Sequence, residues 1–145
     1  MGTNQQIDIL LVEDSAAQAL LVKTLLKPPW RVMEVASDGN MAMRFLNKEE
    51  EFSGVSKPHL ILLDINMPHK NGFEVLAEIK ENPDLKHIPV VMFTTSDEKK
   101  DIEKAYDGGA SSYIEKPPSI DELESILDDL VEYWSKTSKL PVTVG

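Results

Sequence analysis

The sequence predicts a doubly wound α/β fold, with five β-α units in succession giving a five-stranded parallel sheet and five helices. Two observations carry this prediction. Apolar runs alternate with helical patterns along almost the whole chain, and most of the runs are near-continuous, as strands covered on both faces require. Each run also stops at polar residues, and the carboxyl ends of parallel strands are where such sheets bind ligands. At 145 residues, 41% of them hydrophobic, the chain fits one ordinary domain with a sizeable core.

Taken in order, Ile7–Val12 is the first strand, ending at Glu13-Asp14. Ser15 followed by Gln18 has capping-box spacing and opens a helix that Pro28-Pro29 stops. Arg31–Ala36 is a weaker strand. A helix from about Asp38 runs into Glu49-Glu50-Glu51, read as a solvated helix end, and then a loop through Gly54 to Pro58. Leu60–Leu63 is fully apolar and stops at Asp64; Asn71 with Glu74 opens the third helix, which Pro83 follows. Pro89–Phe93 stops at Thr94. The fourth helix, about Asp97 to Asp107, has only Ile102, Ala105 and Tyr106 as apolar anchors and ends at Gly108-Gly109. Ser112–Ile114 is short and stops at Glu115-Lys116. Ser119 with Glu122 opens the last helix, where Leu123, Ile126, Leu127, Leu130, Val131 and Trp134 fall on one stripe. These elements make residues 1–135 the domain, and the polar tail 136–145 is expected to be loosely held.

Composition narrows the function. There is no cysteine, so no disulfide framework or thiolate metal site is available, and a reducing cytoplasm is the natural compartment. No stretch approaches the roughly 18 apolar residues of a membrane span, and Met1 to Asp8 lacks an apolar signal core. A net charge of −10 argues against nucleic-acid binding, which needs clustered Lys and Arg.

The strand ends carry the chemistry. They offer Glu13 and Asp14, Asp64 with Asn66 two places on, Thr94-Thr95-Ser96, and Lys116 before Pro117. Three carboxylates in one pocket repel: a pair about 4 Å apart is worth roughly 4 kcal/mol at an effective dielectric of 20. A divalent cation removes the conflict, and hard oxygen ligands without Cys or His favour Mg²⁺. A metal beside a carboxylate and a Lys is a template for phosphoryl transfer, with the carboxylate attacking and the cations neutralising the phosphoryl oxygens. Thr94 is then placed to bond a phosphoryl oxygen. Singly, each residue has a plainer reading: Asp14 as a helix cap, Lys116 as a solvated Lys, Thr94 as a strand end, Tyr113 and Trp134 as packing. His59, His69 and His87 read as surface residues.

This constellation resembles response-regulator receiver domains of two-component systems, from about Ile7 to Val131. The matching segments are ILLVEDS, LILLDINMPHKNG, IPVVMFTTS and GASSYIEKP. The resemblance implies the flavodoxin-like strand order 2-1-3-4-5. It implies Asp64 as the phosphoacceptor, and Glu13, Asp14, Asp64 and the Asn66 backbone carbonyl as Mg²⁺ ligands. Thr94 becomes the switch hydroxyl, Tyr113 the switch aromatic and Lys116 the phosphate-binding ammonium, presented by a cis Lys116-Pro117 peptide. Thr95 stands where the family has a small residue, and Pro118 where an aromatic is common. A narrower resemblance, in VLAEIKENPDLKHIPVVMFTTS and EYWSKTSKLP, is to single-domain regulators that partner phytochrome-type histidine kinases. With no output domain after the fifth helix, the expected role is a phosphorylation-dependent protein contact, or a relay or phosphate sink. A homodimer through the fourth helix, fifth strand and fifth helix is expected. An aspartyl-nucleophile phosphatase is the competing enzyme reading, weakened because Asn66 cannot act as its acid-base group. A degenerate, non-phosphorylating scaffold is the third reading, and the intact acidic residues, Thr94 and Lys116 oppose it.

Overall fold

A computed structural model describes residues 6–141. The strands are β1 (Ile7–Val12), β2 (Trp30–Ala36), β3 (Leu60–Leu63), β4 (Val90–Thr94) and β5 (Ser112–Glu115). They form one parallel sheet in the order β2-β1-β3-β4-β5. The helices are α1 (Ala16–Leu25), α2 (Gly39–Leu46), α3 (Gly72–Glu81), α4 (Lys99–Asp107) and α5 (Ile120–Glu132). The predicted fold and strand order are therefore those observed. Among the described residues, no helix is long and apolar enough to cross a membrane.

Strand periodicity explains the two-sided burial. Leu10, Val12, Ile61, Leu63, Val90 and Met92 belong to one core cluster, with α2, α3 and Ala105 of α4. Their neighbours Ile9, Leu11, Leu60, Leu62, Val91 and Phe93 join α1 and α5 in the other. Successive side chains point to opposite faces, so a continuous apolar run feeds both layers. Each buried Leu or Ile stabilises by roughly 1.5–3 kcal/mol, and the three central strands are almost wholly buried.

Local signals set the helix starts. Ser15 accepts from the Gln18 amide, and Asn71 and Glu74 form a complete capping box. Ser119 accepts from the Glu122 amide, but its hydroxyl donates to the Glu122 carboxylate at 3.0 Å, so that box is not reciprocal.

Several local expectations are corrected. α2 stops at Leu46, and Glu50–Phe52 form a separate 3₁₀ turn. Arg44 lies 3.5 Å from Glu50 and packs over Phe52, so the acidic stretch is a turn pinned by Arg44 and not a helix end. α4 starts at Lys99 and buries only Ala105, while Tyr106 is 49% exposed and is no anchor. His59 is half-buried, and its Nδ1 accepts from the Asp8 amide at 3.0 Å, closing the start of the β1–β3 ladder. The chain after α5 winds through a π-helical turn, Tyr133–Thr137; Ser135 accepts from the Trp30 indole at 2.9 Å, and Leu140 packs on the α1–α5 core. Within the expected loose tail Leu140 thus packs on the core, Lys136, Thr137 and Lys139 are exposed, and 142–145 lie outside the described residues.

Candidate functional site

The ladders continue past the strand ends and bring the polar residues together. The Glu13 amide donates to Ala36 at 2.9 Å, and the Asp64 amide to Val12 at 3.1 Å. The Lys116 amide donates to the Thr94 carbonyl at 2.7 Å. These bonds hold the backbone of Glu13, Asp64 and Lys116 in register with neighbouring strands, so their side chains share one pocket at the carboxyl edge.

In that pocket the buried Lys116 ammonium is paired with Glu13, and lies 3.2 Å from Asp64 Oδ2. Glu13 and Asp64 are both buried, whereas Asp14 is exposed. Glu13 Oε2 also accepts from the Ser15 amide at 3.1 Å, and the Asn66 amide reaches Asp64 Oδ1 at 3.4 Å. Burial pushes the Glu13 carboxyl above the usual carboxylate range, against the opposing pull of its hydrogen bond to Lys116.

Glu13, Asp14 and Asp64 each offer an oxygen within 4.8 Å of the others. Three carboxylates face one ammonium, leaving an excess of two negative charges. That excess, on hard oxygen donors with one carboxylate open to solvent, fits a divalent cation such as Mg²⁺ or Mn²⁺. The expected ligands are thus together, with one difference. Glu13 is already engaged by Lys116, which leaves Asp14 as the freest carboxylate.

Thr94 is fully buried, and its Oγ1 has no hydrogen-bond partner. A buried unsatisfied hydroxyl costs roughly 1–3 kcal/mol, so an acceptor arriving in the pocket has something to gain from it. Tyr113 is half-buried and donates from its hydroxyl to the Ser96 carbonyl at 2.9 Å. Burial raises its phenol above the ordinary value. Thr95, which stands where the family has a small residue, is exposed.

The expected cis Lys116-Pro117 bond is not found; the cis peptide among the described residues is Pro28-Pro29. The Lys116 ammonium reaches both carboxylates with its peptide trans, its backbone held by the bond to Thr94.

Two further residues help to build the site: Ser96, which the sequence offered only as part of a polar strand end, and Gly72, to which it offered no role in the site. Ser96 donates from its hydroxyl to Asp101 at 2.6 Å, tying the loop after β4 to the first turn of α4, where Glu98 supplies no side-chain cap. A Ser just before a helical pattern is a signal that could have found it. Gly72 brings the start of α3 against the phosphoacceptor candidate: its amide donates to Ile65 at 2.9 Å, and a methyl there would collide with the Asp64 carbonyl oxygen. The Asn71 cap marks this helix start in the sequence, but nothing there marks the close approach of Gly72.

Comparison with known proteins agrees with this geometry. Residues 9–128 match the response regulator receiver domain family. The chain is 43% identical over 135 residues to the response regulator Rcp1 of Synechocystis sp., covering 92% of each. The phosphorylated cyanobacterial phytochrome response regulator RcpA superposes with a TM-score of 0.89 at 41% identity, covering 94% of this chain and 99% of that one. The Mn²⁺-bound form of Rcp1 gives 0.86 at 41% identity, with the same coverage.

Proposed function

The chain belongs to the response regulator receiver domain family, and from that premise we propose that it accepts a phosphoryl group on Asp64 from the phosphohistidine of a sensor kinase. Receiver domains work by phosphorylation and bind Mg²⁺ or Mn²⁺ at an acidic site; they are switches, not turnover enzymes on a free substrate. The observation that carries the assignment is the buried Lys116 ammonium held between Asp64 and Glu13, next in the sheet to Thr94, whose carbonyl accepts from the Lys116 amide and whose buried hydroxyl is unsatisfied. The experiment that tests it is intact-protein mass after acetyl phosphate, on wild type and on Asp64→Asn.

Each residue has a distinct task in this reading. An Asp64 carboxylate oxygen forms the new O–P bond as the donor's P–N bond breaks, and that electron pair stays on the imidazole. Lys116 neutralises phosphoryl oxygens, and Thr94 donates to one of them. Glu13, Asp14, Asp64 and the Asn66 carbonyl would hold Mg²⁺, which supplies charge neutralisation and a template for the in-line geometry. Loss of the phosphoryl group requires water to reach the same position, and the exposed Thr95 stands at that edge.

Asp14 yields a first prediction. It is exposed and unpaired by Lys116, so Asp14→Ala should lower Mg²⁺ affinity about tenfold or more, as the loss of a direct or outer-shell ligand does. Titration calorimetry reads this directly, and an unchanged isotherm would remove Asp14 from the ligand set. Metal-free stability should not fall, because one repelling carboxylate is gone.

The output lies on the face made by α4, β5 and α5. α4 buries little beyond Ala105, so it is among the elements that open most readily. The path from the pocket runs from Thr94 to Ser96, whose carbonyl holds Tyr113 and whose hydroxyl holds Asp101 of α4. A phosphoryl oxygen that draws Thr94 inward biases this path. Amide hydrogen exchange with beryllofluoride should change protection across residues 96–107 in wild type. Ser96→Ala should raise exchange there without the mimic. Changes confined to the surroundings of Asp64 would count against the path.

The same face carries exposed Tyr106 and Tyr133 and half-buried Trp134, and it supports the homodimer. Sedimentation of the same samples tests it, and a monomer at high concentration in both states would remove it. The similarity to phytochrome response regulators supports a phytochrome-type histidine kinase as phosphoryl donor, and hence a cytoplasmic setting.

A further inference from the structure

We propose that Gly39, the first residue of α2, is a positioning residue for the loop that carries Asp64 and Asn66. The inference rests on the assignment of Asp64 and its neighbours as the metal and phosphoryl site, and names a wall of that site outside the strand ends.

Gly39 opens α2 and does not use the left-handed backbone that favours glycine, since Gly109 is the glycine with positive φ among the described residues. What Gly39 supplies is the absence of a Cβ. A methyl group at this position would sit 2.5 Å from the Lys70 carbonyl oxygen, 2.8 Å from Lys70 Cβ and 2.8 Å from Val75 Cγ2. The nearest of these is backbone, so the clash is not relieved by rotating a side chain.

The wall itself is rigid. α2 is capped by Asp38, which accepts from the Met41 amide at 2.8 Å, and is seated by buried Ala42, Met43, Phe45 and Leu46. The loop opposite is short and closed at its base, because Gly72 lies against the backbone of Asp64 and Ile65. Its far limb turns tightly, with His69 at φ +67 and the Lys70 amide donating to Pro68 at 2.8 Å. The Lys70 ammonium is paired with Glu78 of α3. Asn66 therefore lies between two fixed contacts, one at Gly72 and one at Gly39. Pushing Lys70 away from α2 strains the short segment back to Asn66, and the inference is that the Asn66 carbonyl and the Asp64 carboxylate shift relative to Asp14. A misplacement on the order of 1 Å can cost about a hundredfold in a phosphoryl-transfer geometry.

The test compares four proteins by Mg²⁺ titration calorimetry and by initial labelling rate with acetyl phosphate. These are wild type, Gly39→Ala, Ala42→Gly and Asp64→Asn, each checked for folding by circular dichroism. Ala42→Gly loosens the same helix from its core-facing side and controls for stability alone. Gly39→Ala should lower Mg²⁺ affinity about tenfold and slow labelling at least as much, while Ala42→Gly keeps both. Wild-type affinity and rate in Gly39→Ala, or equal losses in Ala42→Gly, would overturn the inference. Labelling of Asp64→Asn would instead overturn the phosphoacceptor assignment, and the Mg²⁺ affinities would still decide the role of Gly39. If Gly39→Ala does not fold, Lys70→Ala and Lys70→Gly replace it: both lose the Glu78 pair, but only the glycine variant removes the Cβ facing position 39. A weaker Mg²⁺ affinity in Lys70→Gly alone supports the wall, and equal affinities overturn it.

Discussion

Asp64→Asn should take up no phosphoryl group under conditions in which the wild-type protein takes up one. The variant is nearly isosteric, so the loss is chemical and not a consequence of unfolding. A neutral amide oxygen is a far poorer nucleophile than a carboxylate oxygen, and no other carboxylate in the pocket has the same place. Glu13 is paired with Lys116 and bonded to the Ser15 amide, and Asp14 is exposed. Asp64 alone is buried at the end of β3, against Lys116 and beneath the Asn66 amide. Intact-protein mass after acetyl phosphate and Mg²⁺ reads the result, and EDTA should abolish labelling of wild type as completely as the substitution does. Removing one of three mutually repelling carboxylates should also leave the metal-free variant at least as stable as wild type. A variant labelled to the wild-type extent would move the acceptor to another residue.

The sequence made most of the scaffold legible because the deciding signals are short in range. Near-continuous apolar strands, helix caps within three residues and the polar residue after each strand are all local and imply a doubly wound parallel sheet, while the strand order comes from the resemblance to receiver domains. The approach of Glu13, Asp64 and Lys116 was inferable from the rule that ligands collect at strand ends. What escaped depends on contacts between distant segments. Nothing near Glu13 indicates that its carboxylate meets Lys116, 103 residues away. His59 reads as a surface residue until its Nδ1 is seen accepting from the Asp8 amide. Tyr106 has the composition of an anchor but points to solvent. Leu140 packs on the α1–α5 core from a stretch whose polar composition argues for looseness. Gly39 looks like any residue after a cap until the Lys70 carbonyl is placed beside it.

Lys116→Met should damage both stability and chemistry, and the two losses should separate. Methionine keeps the apolar stem and removes the ammonium, leaving Glu13 and Asp64 buried together without a counter-charge. Breaking a buried ion pair from one side costs roughly 3–5 kcal/mol, so the metal-free variant should unfold at a clearly lower urea concentration. Glu13 is already difficult to keep ionised: burial holds its carboxyl above the usual range even with Lys116 beside it. Glu13→Gln in the Lys116→Met background should therefore recover much of the lost stability. It should not recover labelling, because no ammonium is left to neutralise phosphoryl oxygens. The loss of one such charge-stabilising group is worth about a hundredfold or more in rate. Saturating Mg²⁺ should likewise raise the midpoint of Lys116→Met more than that of wild type, since the cation replaces a missing positive charge between the same oxygens. A single substitution with wild-type stability would mean that the contacts of Lys116 with Glu13 and Asp64 carry no net energy in solution. A double variant that labels normally would show that Lys116 balances charge in the resting pocket and takes no part in the transfer.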